Sequence, residues 1–152
     1  MLDSQANEVL VSFRGIQKSY DGEALIVKDL NLDIRKGEFL TLLGPSGSGK
    51  TTSLMMLAGF ETPTAGEILL GGRSINKLPP HKRDMGMVFQ NYALFPHMTV
   101  AENLAFPLIV RKLGKSEREA KVKRALDMVQ MGEFGGRRPA QFSGGQQQRV
   151  AL

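Results

Sequence analysis

The sequence predicts an α/β fold in which a β-rich core is followed by an inserted helical subdomain. Two runs of alternating apolar and polar residues, 9–19 and 24–34, predict an N-terminal antiparallel β subdomain. A glycine-rich stretch directly after the apolar run 39–43 predicts a strand, a loop and a helix in that order. Two capping boxes mark helix starts in the second half. We therefore expect a β-rich core over 1–90 and a mainly helical region over 91–152.

The composition is typical of a globular protein without covalent cross-links. The 152 residues are 41% hydrophobic and 23% charged and include no cysteine, so no disulfide framework can form. The longest apolar candidate for a membrane span, 104–110, is much shorter than the roughly 18 residues that a spanning helix needs. It also contains Pro107. Any membrane role is therefore expected to be peripheral.

The net charge of +5 raises the question of a nucleic-acid partner. Residues 111–124 contain seven Lys or Arg against two Glu. Clustered basic residues are the electrostatic footprint of nucleic-acid binding, whereas charges spread along an amphipathic helix usually form a solvated face. We expect a solvated face here and no nucleic-acid partner.

Short-range signals predict the elements of the first half. The turn Tyr20, Asp21, Gly22 joins the two alternating runs into a hairpin. Residues 52–58 predict a short buried helix, which ends at Gly59 because glycine readily adopts the left-handed conformation of a helix C-terminus. Further along, we expect a strand or hairpin arm over residues 66–75 and another strand over residues 85–90.

The second half shows the capping and spacing signals of two helices. Each capping box pairs Ser or Thr with Glu three residues later, and the pairs are Thr99 with Glu102 and Ser116 with Glu119. In the second helix, apolar residues recur with the spacing of one helix face, at Val122, Ala125, Leu126 and Val129. That spacing leaves four basic residues largely on the water side, namely Arg118, Lys121, Lys123 and Arg124.

The stretch GPSGSGKTT matches the pattern G-x-x-x-x-G-K-[ST] of a phosphate-binding loop. Its glycines let backbone N–H groups point at a phosphate chain, its lysine supplies a mobile positive charge, and its first threonine offers a hydroxyl to Mg²⁺. The helix that follows directs its positive dipole end at the same anion. The predicted phosphate-binding residues are Gly44, Pro45, Ser46, Gly47, Ser48, Gly49, Lys50, Thr51 and Thr52.

A second glycine-containing helix start, FSGGQ, lies near the end of the sequence. Ser143 and Gln146 form a capping box, and Gly144 and Gly145 leave the first helical turn free of side chains. The N–H groups of such a turn can approach an anion. Because it follows the phosphate-binding loop, this segment predicts a second phosphate clamp.

With these two motifs, the chain resembles the ATP-binding subunits of ABC transporters over essentially its whole length. GPSGSGKT is similar to their Walker A motif and FSGGQ to their signature motif, with Phe142 where the family usually has leucine. The resemblance implies a P-loop NTPase fold with a RecA-like core and implies ATP and Mg²⁺ as ligands. It also implies that Tyr20 stacks on adenine. Gln90 matches the Q-loop position, which implies a catalytic role and, together with Thr51, a role at Mg²⁺.

Within that family, three segments most resemble subunits of bacterial importers, namely LAGFETPTAGEI, FQNYALFPHMTVAENL and SGGQQQRVAL. Importers of polyamines such as spermidine and putrescine are favoured. The resemblance implies transmembrane permease subunits as partners and, indirectly, a solute-binding protein. It implies a second ATP-binding subunit, expected to be a second copy, whose ATP contacts Ser143, Gly144, Gly145 and Gln146. The implied location is peripheral, on the cytoplasmic face of the bacterial inner membrane.

The chain ends soon after the signature motif. Phosphoryl transfer in phosphate-loop proteins needs an Asp at the end of an apolar strand, and this family adds a catalytic Glu after it. Neither follows the signature motif here. We therefore expect a C-terminally incomplete ABC ATP-binding domain, prone to aggregate and unable to hydrolyse ATP by itself. Two other functions stay open: a soluble ABC ATPase that acts on the ribosome or DNA, and a non-catalytic module that docks on a membrane subunit.

Overall fold

The computed structural model describes residues 8–152, which fall into two compact units. The first unit extends to Gly86, and the second comprises Met87–Leu152. This boundary lies a few residues before the predicted domain boundary at residue 90, which remains a prediction. None of the helices in the described part of the chain is long and apolar enough to cross a membrane.

The first unit is built on one antiparallel sheet of four strands. The strands are β1 (Val9–Ser19), β2 (Leu25–Arg35), β3 (Ala65–Leu70) and β4 (Arg73–Ser74). Their spatial order is β2-β1-β3-β4, so β1 pairs with β2 on one side and with β3 on the other. The predicted hairpin of residues 9–34 is confirmed, and so is the hairpin arm over residues 66–75.

The core of this unit follows from the alternation of its strands. Every second residue of a strand faces the same side, so the apolar members of β1, β2 and β3 collect on one face. The buried cluster consists of Val11, Phe13, Ile16, Val27, Met56, Ile68 and Ile75. One helix, α1 (Lys50–Ala58), contributes Met56 to this cluster.

Helix α1 confirms the predicted helix and starts two residues earlier than expected. It ends at Gly59, which has φ of 87°, a left-handed conformation that glycine adopts without steric cost. The helix is less buried than predicted, since only Ser53 and Met56 are buried and Leu54 is exposed. Leu57 packs against the core, so the exposed apolar surface of this helix lies mainly at Leu54.

Arg83 is the most unusual buried side chain of the first unit. Only 4% of its surface is exposed, and no local sequence pattern predicts this burial. Its guanidinium donates hydrogen bonds of 2.8 Å to the carbonyl oxygens of Leu78, Met56 and Leu57. The last two carbonyls lie at the C-terminal end of α1, the negative end of the helix dipole. Burial lowers the pKa of Arg83 from its ordinary value.

Two predicted strands are wrong. Residues 39–43 and 85–90 have no strand conformation, and within residues 8–152 no segment pairs with either. The apolar side chains confirm this, because Phe39 is 94% exposed and Leu43 is 88% exposed. An apolar run becomes a strand only when neighbouring strands satisfy its backbone groups and cover its side chains.

The second unit is helical, as predicted. It contains α2 (Val100–Val110), α3 (Lys115–Met128) and α4 (Gly144–Ala151) with short 3₁₀ turns between α3 and α4. The capping box that starts α2 is confirmed, with the Glu102 carboxylate accepting a 2.7 Å hydrogen bond from the Thr99 N–H. The buried core consists of Val100, Val122, Leu126, Met131, Phe142 and Val150.

The predicted capping box at the start of α3 is wrong. The helix is capped by Gly114, whose extended backbone lets the helix begin at Lys115. Ser116 therefore lies inside the first turn, and Glu119 faces the Lys115 ammonium at 3.9 Å instead. The predicted apolar face of α3 is confirmed at Val122 and Leu126, which are both buried.

We expect Arg83→Met to lower the free energy of unfolding by about 2 to 3 kcal/mol, because the carbonyls at the end of α1 lose their buried donors. Lys82→Met is the matched control, since the neighbouring lysine is exposed. Urea unfolding followed by circular dichroism measures both variants. Equal free energies for the two variants would contradict the role assigned to Arg83.

Candidate nucleotide-binding site

At two positions, the glycine-rich loop between residue 43 and α1 has a left-handed backbone that glycine adopts without steric cost. Gly47 and Gly49 have φ of 81° and 84°, in the left-handed region. A Cβ at Gly49 would lie 2.9 Å from Cγ2 of Val27 and 3.1 Å from the carbonyl oxygen of Ile26. Strand β2 thus contacts the loop directly, and no side chain fits at position 49.

The Lys50 side chain folds back into this loop. Its Nζ donates to the carbonyl oxygens of Gly44 at 2.7 Å and Pro45 at 2.6 Å and to Oγ of Ser48 at 3.1 Å. The ammonium is therefore surrounded by oxygen acceptors supplied by the loop itself. Phosphate oxygens offer the same kind of acceptor with a negative charge, and charge-assisted hydrogen bonds are about twice as strong as neutral ones.

The start of α1 supplies free backbone donors. The N–H of Ser53 bonds to the carbonyl oxygen of Gly49 at 2.8 Å, and the Ser53 hydroxyl bonds to the same oxygen. The N–H groups of Lys50, Thr51 and Thr52 come before this first helical bond, so they have no intrahelical acceptor. Together with the helix dipole, they favour an anion at this position.

The oxygen ligands beside the loop fit a magnesium ion that binds together with a nucleotide. Within residues 8–152, no group of three or more His, Cys, Asp or Glu could hold a metal ion. Mg²⁺ commonly takes one or two protein oxygens and completes its shell with substrate phosphates and water. The exposed Thr51 offers such an oxygen beside the phosphate loop.

Tyr20, the predicted adenine-stacking residue, lies in the first unit at the end of β1. Its side chain is 58% exposed. The ammonium of Lys18 lies 4.7 Å from the ring centroid, a cation–π contact. Lys18 is fixed by an ion pair with Glu61 at 2.8 Å and a hydrogen bond to the carbonyl oxygen of Thr62. The ring therefore has a defined support and a large free surface, which is the arrangement a stacking platform needs.

Asp21 organises the turn that carries Tyr20. Its Oδ1 accepts hydrogen bonds from the N–H groups of Ala24 and Glu23 and from the hydroxyl of Ser19, at 2.9 to 3.0 Å. These bonds, the one from Ala24 first, lower the pKa of Asp21 to about 2. The carboxylate is therefore charged at neutral pH. The Ser-x-Asp spacing was a usable sequence signal for this turn, because Asp side chains accept from backbone N–H groups two or three residues later.

The FSGGQ segment of the second unit forms the predicted capping box. The N–H of Gln146 donates to Oγ of Ser143 at 3.4 Å, and the N–H of Ser143 donates to Oε1 of Gln146 at 3.0 Å. Gly144 and Gly145 are exposed in the first turn of α4. Phe142 is buried and packs edge-on against Phe134 with ring centroids 6.0 Å apart. A phenylalanine thus anchors the loop from inside the core.

Gln90 also belongs to the second unit and lies exposed in a turn. In the same turn, Tyr92 and Ala93 have left-handed φ of 63° and 52°. Consecutive non-glycine residues in this region are strained, and such strain often occurs at functional turns. The phenol oxygen of Tyr92 would lie 3.8 Å from a Cβ at Gly144. Sequence reasoning missed this approach of the turn to the FSGGQ helix, because no local pattern signals it.

The structure therefore places the predicted residues in two sets. The phosphate-loop residues and Tyr20 lie in the first unit, and Gln90 and the FSGGQ residues lie in the second. Beside the phosphate loop, the first unit has an apolar groove of about 940 Å³, lined by side chains of β2, residues 39–43 and α1.

Comparison with known proteins identifies close relatives of this chain. The ABC transporter family matches residues 27–152. The spermidine/putrescine import ATP-binding protein PotA of Methylococcus capsulatus is 53% identical over 98% of this chain, and that of Oleidesulfovibrio alaskensis is 52% identical over 95%. The chain spans about two fifths of the length of these relatives, 38% and 39% respectively.

Solved structures show the same fold. A dimeric ATP-binding cassette in a post-hydrolysis state, bound to ADP and Pi, matches 93% of this chain and 67% of its own with a TM-score of 0.84 and 36% identity. A second dimeric structure, of a bacterial ABC transporter cassette, matches with a TM-score of 0.80 and 38% identity. The fold is thus the P-loop NTPase fold of ATP-binding cassettes with an N-terminal antiparallel β subdomain. With the family match and the phosphate loop in agreement, the chain belongs to the ABC transporter family.

Proposed function

We propose that this chain acts in an ATP-binding subunit of an ABC importer, which couples ATP binding and hydrolysis to solute uptake. The observation that carries the proposal is the loop of residues 44–49 wrapped around the Lys50 ammonium at the start of α1. Polyamines are the favoured solutes, because the relatives that share half of the sequence are named for spermidine and putrescine import.

The phosphate-loop residues, Tyr20 and Gln90 would divide the contacts with the nucleotide and its ion between them. Lys50 and the free N–H groups of residues 50–52 would hold the phosphates, and Tyr20 would stack on adenine. Thr51 and Gln90 would contact Mg²⁺, which supplies positive charge for the phosphate oxygens when bound. The exposed hydroxyl of Thr51 adds an oxygen ligand of the kind that Mg²⁺ prefers.

Hydrolysis requires more than these residues. An Asp at the end of an apolar strand and a following Glu are needed for phosphoryl transfer in this family, and the 152 residues contain neither after the signature motif. We infer that Gln90 would assist catalysis only together with those groups. The chain by itself would bind ATP without turning it over.

Two exposed segments, the FSGGQ helix start and the segment after Gln90, suggest the partners of this subunit. Ser143, Gly144, Gly145 and Gln146 would contact the ATP of a second subunit, expected to be a second copy; the dimeric cassettes with the same fold support this arrangement. Permease subunits would dock on the segment after Gln90, where Phe95 is exposed, and a solute-binding protein would act through them. Such a subunit would lie peripherally on the cytoplasmic face of the bacterial inner membrane.

Lys50→Ala should weaken ATP binding roughly 100-fold, because hydrogen bonds to charged groups are worth about 1.5–3 kcal/mol each. Lys77→Ala removes an exposed lysine from the same unit and serves as the control. Isothermal titration calorimetry with ATP and Mg²⁺ gives both affinities. An unchanged affinity of the Lys50 variant would refute the proposed role.

Tyr20→Ala should weaken ATP binding roughly tenfold and leave the affinity for inorganic tripolyphosphate unchanged, because stacking on a base contributes about 1–3 kcal/mol. Tyr20→Phe keeps the ring and should bind both ligands like the original protein. The same titration with the two ligands separates base stacking from phosphate binding. Equal losses for ATP and tripolyphosphate would show that Tyr20 only supports the loop.

A further inference from the structure

Helix α2 has two apolar stripes, and only one of them faces the core. Its inner stripe packs against the buried cluster of the second unit and consists of Val100, Ala101, Leu104, Ala105 and Leu108. On another face, Phe106, Ile109 and Val110 follow the i, i+3, i+4 spacing of neighbours on a helix surface. These three side chains are 39%, 50% and 65% exposed. Phe106 packs against Phe95 with ring centroids 4.8 Å apart, so the most exposed part of the outer stripe is Ile109 and Val110.

Basic residues follow directly at the end of this outer stripe. Arg111 and Lys112 form the turn after α2, and Lys115 begins α3. All three are exposed. Within residues 8–152, Arg111 and Lys112 enter no ion pair, and Lys115 has only a 3.9 Å contact with Glu119 in which its side chain stays 81% exposed. Their charges are thus available to an external anion.

The second unit carries the entire net charge of the chain. Residues 87–152 contain ten Lys or Arg and five Asp or Glu, whereas residues 1–86 contain ten of each. The net charge of +5 therefore belongs to the helical unit. A positive unit that exposes an apolar stripe beside unpaired cations is suited to a surface that is both apolar and anionic.

We propose that an outer patch, formed by Phe106, Ile109, Val110, Arg111, Lys112 and Lys115, lies against a bilayer surface containing anionic phospholipids. The apolar side chains enter the boundary between headgroups and acyl chains, and the cations contact lipid phosphates. A nucleic acid would use the cations but would leave the aliphatic side chains of Ile109 and Val110 uncovered. The contact requires neither nucleotide nor permease, so it goes beyond the proposed function.

Vesicle flotation tests the patch with the protein and its variants, without nucleotide. We use vesicles of phosphatidylcholine alone and vesicles with about 30% phosphatidylglycerol, in about 0.1 M salt, where the Debye length is about 10 Å. The patch variant is the double substitution Arg111→Ser with Lys112→Ser. The matched control, Lys121→Ser with Arg124→Ser, removes the same charge from exposed positions of α3 that do not line the groove beside Ile109 and Lys115.

The protein should bind the anionic vesicles and not the neutral ones. The patch variant should bind roughly 10- to 30-fold more weakly, because each basic residue close to such a surface contributes about a fivefold change. The control should stay within about threefold, because charges away from the surface are screened. Val110→Ser should also weaken binding while its charge is unchanged. Circular dichroism checks that each variant keeps its helix content.

Three results would overturn the proposal. The first is that the protein fails to bind anionic vesicles. The second is that the patch variant and its control lose affinity equally, which would mean that net charge alone attracts the protein to lipid. Alternatively, the patch variant keeps its vesicle binding but loses capture by purified permease, which would assign the patch to a protein partner. ATP affinity, measured separately on each variant, distinguishes these failures from a failure of the nucleotide site.

Discussion

The structure of the first unit depends on how closely the glycine loop can pass strand β2. At Gly49 the backbone approaches Val27 and Ile26 so closely that a Cβ would collide with both, and this contact fixes where α1 begins. The free N–H groups of the first helical turn and the Lys50 ammonium are then held on the same side of the loop. At the other end of the helix, Arg83 holds the last carbonyls from inside the core. The anion site is therefore supported along the whole length of α1.

In contrast to the closely packed loop, the apolar run before it is poorly packed. Residues 39–43 have the composition of a central strand, yet Phe39 and Leu43 are almost fully exposed and the groove beside them is about 940 Å³. A central strand needs a neighbouring strand on each side to pair its backbone and packed elements on both faces to cover its apolar side chains. Relatives of this chain are more than twice as long. Residues 39–43 and the groove therefore form an apolar surface of the first unit that is exposed to solvent.

Sequence reasoning succeeded where a local rule determines the structure. The capping boxes at Thr99 and Ser143 and the hairpin around Tyr20 each depend on a few neighbouring residues, and all three form as predicted. Ser116 has the same spacing to Glu119, yet α3 begins one residue before it, at Lys115, with Gly114 as its cap. The burial of Arg83 depends on contacts far away in sequence, which no short pattern encodes. The relation between the second unit's motifs and the phosphate loop likewise depends on tertiary structure and remains part of the proposal.

The central claim is that backbone N–H groups of this glycine loop bind the phosphates of ATP. Amide chemical shifts measured by NMR during a titration with ATP and Mg²⁺ test it residue by residue. The account predicts that the amides of Gly47, Gly49, Lys50 and Thr51 shift strongly and together, while those of Gly71 and Gly72, a glycine turn in the same unit, stay unchanged. Shifts spread evenly over both glycine segments, or absent from the loop, would contradict the claim.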